Sequence, residues 1–387
     1  MPIKTAAIIG AGIAGLTAAL ALARHGVRAI IFEQVEALTE VGAGLQISPN
    51  ASRILDTLGV LDALRPVWLE PEEVRLVSGS SLRVIASVPC GSFARERWGS
   101  PYGALHRATL QKVLLDAVIV DPLCTLHLGR PIDATNRQAL DAAIGESADL
   151  IVGADGVWSK VRTLVSSGPS PHFSGNIAWR FTIPEALAPR TLDRTSVTAF
   201  LGPSAHLISY PIKENAAFNI VAIISGSSTS HDWSAAGTRA QREHLLRGFS
   251  GWNGAITGLL EQQKEATFWP LYQVSAGRWH NGKDVMLIGD AAHAMMPFAA
   301  QGAAMAIEDA FELAGMVASR PLAEALDLFE KHRMPRIARL RQRAAFNQFA
   351  YHARGPVRLA RDLVLSVRPP QSLAADLDWV YGYQATG

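Results

Sequence analysis

The chain has 387 residues, 49% of them hydrophobic and 18% charged, with a formal net charge of +2. This length suits two packed domains or one large one, and this composition belongs to a folded globular protein, not a disordered one. So small a net charge gives no field to recruit nucleic acid or an acidic membrane. Cys90 and Cys124 are far apart and form no CxxC, which argues against a dithiol redox centre and a disulfide-stapled secreted scaffold.

Lys4 to Ile9 reads as a strand, Gly10-Ala11-Gly12-Ile13-Ala14-Gly15 as the turn into a helix, and Val27 to Phe32 as a second strand ending at Glu33. Lys4 and the apolar run through Ala23 resemble a signal peptide. The glycine spacing and the need for a partner strand argue instead for a βαβ unit, and no apolar run reaches the length of a membrane span. In such a unit Gly10 makes the turn, Gly12 lets a pyrophosphate approach, Gly15 lets helix pack on strand, and Glu33 can accept from a ribose. The fingerprint says dinucleotide without choosing NAD or FAD.

Gly42 to Asn50 is a turn-rich loop, either a plain connector or a cofactor contact, before a helix from about Ala51 to Leu58. Residues 72 to 97 are strand-like without useful periodicity. His106-Arg107-Ala108-Thr109-Leu110 opens an amphipathic helix, and Arg107 at its start either reaches a phosphate or is a solvated charge. Asp149 to Val152 is an apolar strand running into Gly153-Ala154-Asp155-Gly156, which is either a β-turn or a ligand loop, with Ser159 and Arg162 in the next helix.

From about Phe173 to Thr267 short β-rich runs alternate with turn clusters, an antiparallel meander inserted into the first domain. In Ala205 to Ile212, period-two alternation puts His206, Ile208, Tyr210 and Ile212 on one face. His206 and Tyr210 stand roughly 13 Å apart, enough to bracket a small ring. His206 is either a functional group there or a hydrogen-bonded core histidine.

Val285 to Ile288 is a buried strand, and Gly289-Asp290 places a carboxylate at its C-terminal end, where open α/β sheets bind ligands. A loop containing Pro297 leads through Gln301 into a helix starting near Gly302 and Ala303, whose free amides favour an anion. This suits a cofactor with a hydroxylated chain for Asp290 and an anionic ring for the helix end. Beyond Ala310 the chain is helical, and Lys331 to Arg343 carries six basic residues and no acidic one, which reads as a solvated face.

Together GAGIAG with Glu33, GADGVWSKVR, GDAAHAMMPFAAQGAAMAIEDA and the C-terminal DWVYGY resemble the class A, single-component FAD aromatic hydroxylases, in the branch of salicylate hydroxylase and 3-hydroxybenzoate 6-hydroxylase. The resemblance covers nearly the whole chain. It implies an α/β fold: a Rossmann-like FAD-binding domain of residues 1–72, 98–172 and 268–354, an inserted antiparallel β-sheet substrate domain of 73–97 and 173–267, and a helical C-terminus of 355–387. It implies NADH or NADPH as donor from a transient site, O2 as co-substrate, a flavin C4a-hydroperoxide and transfer of oxygen to a small aromatic ring. No nucleic-acid or membrane partner is expected, and the protein is expected as a monomer or homodimer in a reducing cytoplasm.

Site residues follow from the same resemblance: Gly10, Ala11, Gly12, Ile13, Ala14, Gly15, Glu33, Arg107, Asp155, Asp290, Pro297, Gly302 and Ala303 toward FAD, and His206, Tyr210 and Gln301 toward catalysis. His206 is the expected base for a phenol, whereas His293 in the flavin loop is read as structural. Thr109 departs from the Asp that relatives often carry in HRADL, although Thr can still cap a helix. The alternatives are a related monooxygenase acting on an N-heterocycle or alkene, and a flavin-binding redox sensor without turnover.

Overall fold

The computed structural model describes residues 3–38, 44–133, 136–145, 147–227, 235–263 and 266–387. Among these, five short strands form a parallel sheet in the order Val285–Leu287, Leu150–Gly153, Thr5–Ile9, Arg28–Phe32, Cys124–His127, the four before the Cys124–His127 edge being apolar but for Thr5 and Arg28 at their starts. Apolar parallel strands of this kind are stable only when both faces are covered. Helices Ile13–Arg24, Arg107–Val120 and Gly302–Ser319 supply apolar faces to the core that encloses the sheet.

The β-rich region forms an eight-stranded sheet, in the order Ala235–Ala236, Thr267–Val274, Pro171–Pro184, Ala217–Ser225, Ala205–Ile212, Val197–Gly202, Glu73–Ser78, Val84–Pro89. It departs from a simple meander. Val197–Gly202 pairs in parallel with Glu73–Ser78, so a hairpin from the unperiodic stretch 72–97 completes the sheet from far away in sequence. Thr267–Val274 also pairs into this sheet, although the expected domain boundary at 268 falls at its start. One face packs around Trp179, Phe200, Phe218 and Phe249; the other faces the cofactor-type domain.

Local expectations were met with shifts at element ends. The helix expected at Ala51 begins at Pro49, where a proline is favoured because its missing N–H is not needed. Ser159 and Arg162 do not share an α-helix: Ser159 lies in a turn and Arg162 in the short 3₁₀ segment Val161–Leu164. Thr109 sits inside the first turn of Arg107–Val120, where the N-cap is His106, so it caps nothing. Gly42 and Ala43, at the start of the turn-rich loop, lie outside the described residues.

The basic run is where the sequence reading fails. Within helix Leu322–Tyr351, Lys331 is exposed but Arg333 is wholly buried. Arg333 donates to Glu308 at 2.7 Å and Asp309 at 2.8 Å and lies 3.5 Å from Glu312, all three on helix Gly302–Ser319 and all buried. Arg336 adds a two-pronged contact to Glu308, both bonds 2.7 Å. A solvated face is what such a run usually means; here one turn of it points inward because an acidic helix lies opposite.

Candidate active site

The two sheets enclose a cavity of about 820 Å³. Its cofactor end is built from three strand ends of the parallel sheet. At the first, the Gly10 φ of +106° suits glycine, and a Cβ there would lie 2.5 Å from the Ala154 carbonyl. A Cβ on Gly15 would lie 1.9 Å from the Gly10 carbonyl oxygen, so that glycine serves packing within the turn. Gly12 differs: nothing of the protein lies within 4 Å of its Cβ position, and it lines the cavity. Glu33 accepts from the Ala11 amide at 2.9 Å and the Val35 amide at 3.1 Å, which holds the turn while its carboxylate borders the cavity.

At the second strand end, Asp155 Oδ2 accepts from the Lys160 and Val161 amides at 2.7 and 3.2 Å, whereas Oδ1 is buried without a hydrogen-bond partner. A buried carboxylate oxygen left unpaired is costly, and a ligand donor in the cavity it lines would remove that cost. At the third, Gly289 turns at φ +57° and its amide donates to Asp309 at 2.9 Å, which presents Asp290, exposed, to the cavity. His293 Nε2 lies 2.5 Å from the same Asp309, in keeping with its reading as a structural residue. Ile13, Ala14, Arg107, Pro297, Gly302 and Ala303 also line the cavity; Ala11 and Gly15 do not.

The other end of the cavity is formed by the inner face of the β-rich sheet. His206, Ile208 and Tyr210 line the cavity from Ala205–Ile212, and Ile212 packs beside Tyr210 against Ala104 and Val197. His206 is 2% exposed, and its Nδ1 lies 2.8 Å from His352 Nε2. Burial, reinforced by His352, holds the His206 pKa well below the usual histidine range, so the ring is neutral near pH 7. Burial raises the Tyr210 hydroxyl above its ordinary value, so it stays protonated as a donor. Gln301, 3% exposed, donates to Ser48 Oγ at 2.9 Å, and its carbonyl lies 3.3 Å from the Asn50 amide, which donates to Glu308 at 2.7 Å. The buried ion cluster therefore continues to the cavity wall.

Comparison with known proteins agrees with this geometry. The model of the FAD binding domain family matches residues 4–344. The 3-hydroxybenzoate 6-hydroxylase 1 of Aquipseudomonas alcaligenes is 34% identical over 385 residues, 97% of this chain and 96% of that protein. The chain belongs to the FAD-dependent aromatic hydroxylases.

A 3-amino-4-hydroxybenzoate 2-monooxygenase of Streptomyces cremeus is 33% identical over 397 residues, 98% of this chain and 95% of that one. A solved salicylate hydroxylase–substrate complex has the same fold, with a TM-score of 0.80 at 22% identity, covering 99% of this chain and 96% of the other. Membership in this family of hydroxylases makes FAD the cofactor and removes the redox-sensor alternative. The residues present fit FAD: a glycine turn with empty space beyond Gly12, an orphaned Asp155 oxygen and an exposed Asp290 in one cavity.

In this hydroxylase the sequence reading missed His352, Arg180 and Tyr102, and took Gln46 only as part of a loop that is either connector or cofactor contact. Arg180 and Tyr102 line the cavity, and the Tyr102 hydroxyl donates to Gln46 at 2.6 Å. Arg180 on strand Pro171–Pro184 stacks over Trp269 with 5.3 Å to the ring centroid. A lone arginine in an otherwise apolar β-run was the available signal for Arg180; His352 and Tyr102 had none.

Two predictions test the cofactor end. Gly12→Ala meets no protein atom, so the apoprotein should melt as wild type does, while the added methyl occupies space expected for the cofactor and weakens FAD. Gly15→Ala, with its clash inside the turn, should lower the melting temperature even without FAD. Scanning calorimetry of both apoproteins, with FAD titrations, separates the two roles; equal stability losses would refute the distinction. Asp290→Ala removes the one carboxylate presented by the third strand end. Loss of charge-assisted hydrogen bonds to hydroxyls should weaken FAD by roughly ten- to a hundredfold, read by calorimetric titration, and an unchanged affinity would take Asp290 out of the site.

Proposed function

We propose that this enzyme hydroxylates a small phenolic, hydroxybenzoate-like ring using NAD(P)H and O2. The supporting observation is that His206 and Tyr210 share one cavity with the turns at Gly12, Asp155 and Asp290. FAD, when bound, supplies the two-electron chemistry with the nicotinamide donor and O2.

The chain's own residues then have separable tasks. Gly12, Glu33, Arg107, Asp155 and Asp290 hold the cofactor's phosphates and hydroxyls, with Ile13, Ala14 and Pro297 packed beside them. The amides of Gly302 and Ala303, at the start of Gly302–Ser319, favour negative charge at that end of the cavity. His206, neutral and facing the ring, accepts the phenolic proton; a free phenol has a pKa near 10, and its phenolate is the better nucleophile. Tyr210 and Gln301 orient the ring through hydrogen bonds. The apolar lining, including Ile208, Val221, Ile223, Met296 and Phe298, excludes water.

We place the enzyme in a reducing compartment, in keeping with Cys90 and Cys124 both being free. Among the described residues no helix is long and apolar enough to cross a membrane. The test of the function is a panel of hydroxybenzoates and hydroxypyridines scored for stimulated NAD(P)H oxidation, with products identified by mass spectrometry. Stimulation with product from the hydroxybenzoates supports the reading; product only from the pyridines moves the substrate to N-heterocycles.

A further inference from the structure

Among the described residues, the buried histidines His293 and His206 sit in contrasting surroundings. His293 faces Asp309, a carboxylate that Arg333 and the Gly289 amide also hold, so its environment carries a fixed charge. His206 faces another histidine, with 2.8 Å between His206 Nδ1 and His352 Nε2. A bond between two neutral imidazoles has no fixed polarity: either ring can be donor. Both rings change tautomer and stay neutral only when a proton crossing the bond is matched by one gained at the outer nitrogen of the donor ring and one lost from that of the acceptor ring.

The pair also has a direction. His206 is almost fully buried in the cavity wall, whereas His352 is only partly covered. His352 follows helix Leu322–Tyr351 and is clamped by its backbone: its amide donates to the Gln348 carbonyl at 3.0 Å, and its carbonyl accepts from the Ser204 amide at 3.3 Å. Ser204 belongs to the turn that leads into the strand bearing His206. The rings of Phe298 and Tyr351 enclose His206 at centroid distances of 4.9 and 5.5 Å. The charged group acting on the pair is Arg354, which bears on His352 and donates to Ser204 Oγ.

Resting on the proposed role of His206 as base, we infer that His352 is a positioning residue that sets the tautomer of His206 and carries the substrate's proton outward to solvent. With Nδ1–H of His206 donated to His352, Nε2 is left with its lone pair for the phenol. The phenolic O–H breaks as an N–H forms at His206 Nε2. His206 Nδ1–H breaks as an N–H forms at His352 Nε2, and the Nδ1 proton of His352 passes to water. One proton enters and one leaves, and both rings end neutral. This matters because burial disfavours a charged imidazolium at either position. A relay removes the need to store the charge there.

The test uses the FAD-loaded enzyme and 3-hydroxybenzoate, or the panel member that the wild type turns over. His352→Gln keeps an acceptor for His206 Nδ1 but cannot pass a proton on; His352→Ala opens a space that imidazole can fill from solvent. Expected for both are a wild-type flavin spectrum, roughly tenfold or greater loss of product per NAD(P)H consumed, and recovery of that ratio in His352→Ala on adding imidazole. Coupling within about twofold of wild type in His352→Gln overturns the relay, as does an uncoupled His352→Ala that imidazole leaves unchanged. Loss of folding or of FAD in both variants overturns it too, because the residue is then structural. If His206→Ala is itself fully coupled, the base assignment fails; a coupled His352→Gln beside an uncoupled His206→Ala removes the relay alone.

Discussion

His206→Ala is expected to retain FAD, to accept hydride from NAD(P)H, and to form hydroxylated product roughly 10²- to 10⁴-fold more slowly. The ring contributes to the β-rich face of the cavity, and the turns at Gly12, Asp155 and Asp290 are built by other elements, so the cofactor end is left intact. What disappears is the acceptor for the phenolic proton, and a neutral phenol is a poorer nucleophile than its phenolate. Reducing equivalents should then emerge as hydrogen peroxide. Following NAD(P)H, peroxide and product in one reaction checks this. Wild-type coupling would return His206 to the role of an ordinary core histidine. Flavin loss would show instead that its contact with Phe298, at 4.9 Å, supports the segment that carries Pro297 and Gln301.

Arg333→Met should cost about 3–5 kcal/mol, because it leaves Glu308, Asp309 and Glu312 buried with fewer partners. Against a typical stability of roughly 5–15 kcal/mol this is a large share, and the melting temperature should fall by on the order of 10 °C. Lys331→Ala, two residues away but exposed, should stay within about 0.5 kcal/mol of wild type. The acid limb should respond as well. Burial alone would raise the pKa of Asp309, but His293 and Arg333 outweigh it and bring it from 3.8 to about 2. A carboxylate depressed in the folded state contributes stability above its unfolded pKa and loses it as pH falls toward the folded value. Arg333→Met raises that folded value, so part of the contribution is lost at every pH above it and acid unfolding begins at higher pH. Melting curves between pH 3 and pH 7 (roughly the range in which carboxylates lose their protons) would show it. Identical behaviour of the Met and Lys331→Ala variants would mean that the cluster holds nothing.

Much of the cofactor domain was legible because its signals are local. GAGIAG and Glu33 follow the two strands of one βαβ unit, and Gly289-Asp290 follows directly on a third strand end. The alternation in Ala205–Ile212 predicted which side chains face the cavity, since the period of a strand is fixed by its backbone. The partnerships between distant segments were not legible. His352 lies 146 residues from His206 in a stretch with no pattern of its own. The inward turn of Arg333 and Arg336 depended on three acidic residues of another helix. Glu308, Asp309 and Glu312 stand within an alanine-rich apolar helix, and that conflict was the available clue to a buried counter-charge. The hairpin of residues 73–89 read as irregular because its place in the sheet is decided by pairing with Val197–Gly202.

That parallel pairing also bears on how the protein is made. Residues 79–196 separate the two paired strands, and within them lie the core helix Arg107–Val120 and two strands of the parallel sheet. The sheet cannot acquire this neighbour until the intervening chain has largely condensed, and closing so long a loop is slow relative to forming a hairpin. The strand carrying His206 sits immediately beyond this late-formed junction. Nor is the β-rich layer a cassette that could be lifted whole into another scaffold: a fragment spanning 171–274 would leave Val197–Gly202 as a bare edge, open to pairing with a second fragment. The enzyme's two layers are thus committed to one another before the substrate wall is complete.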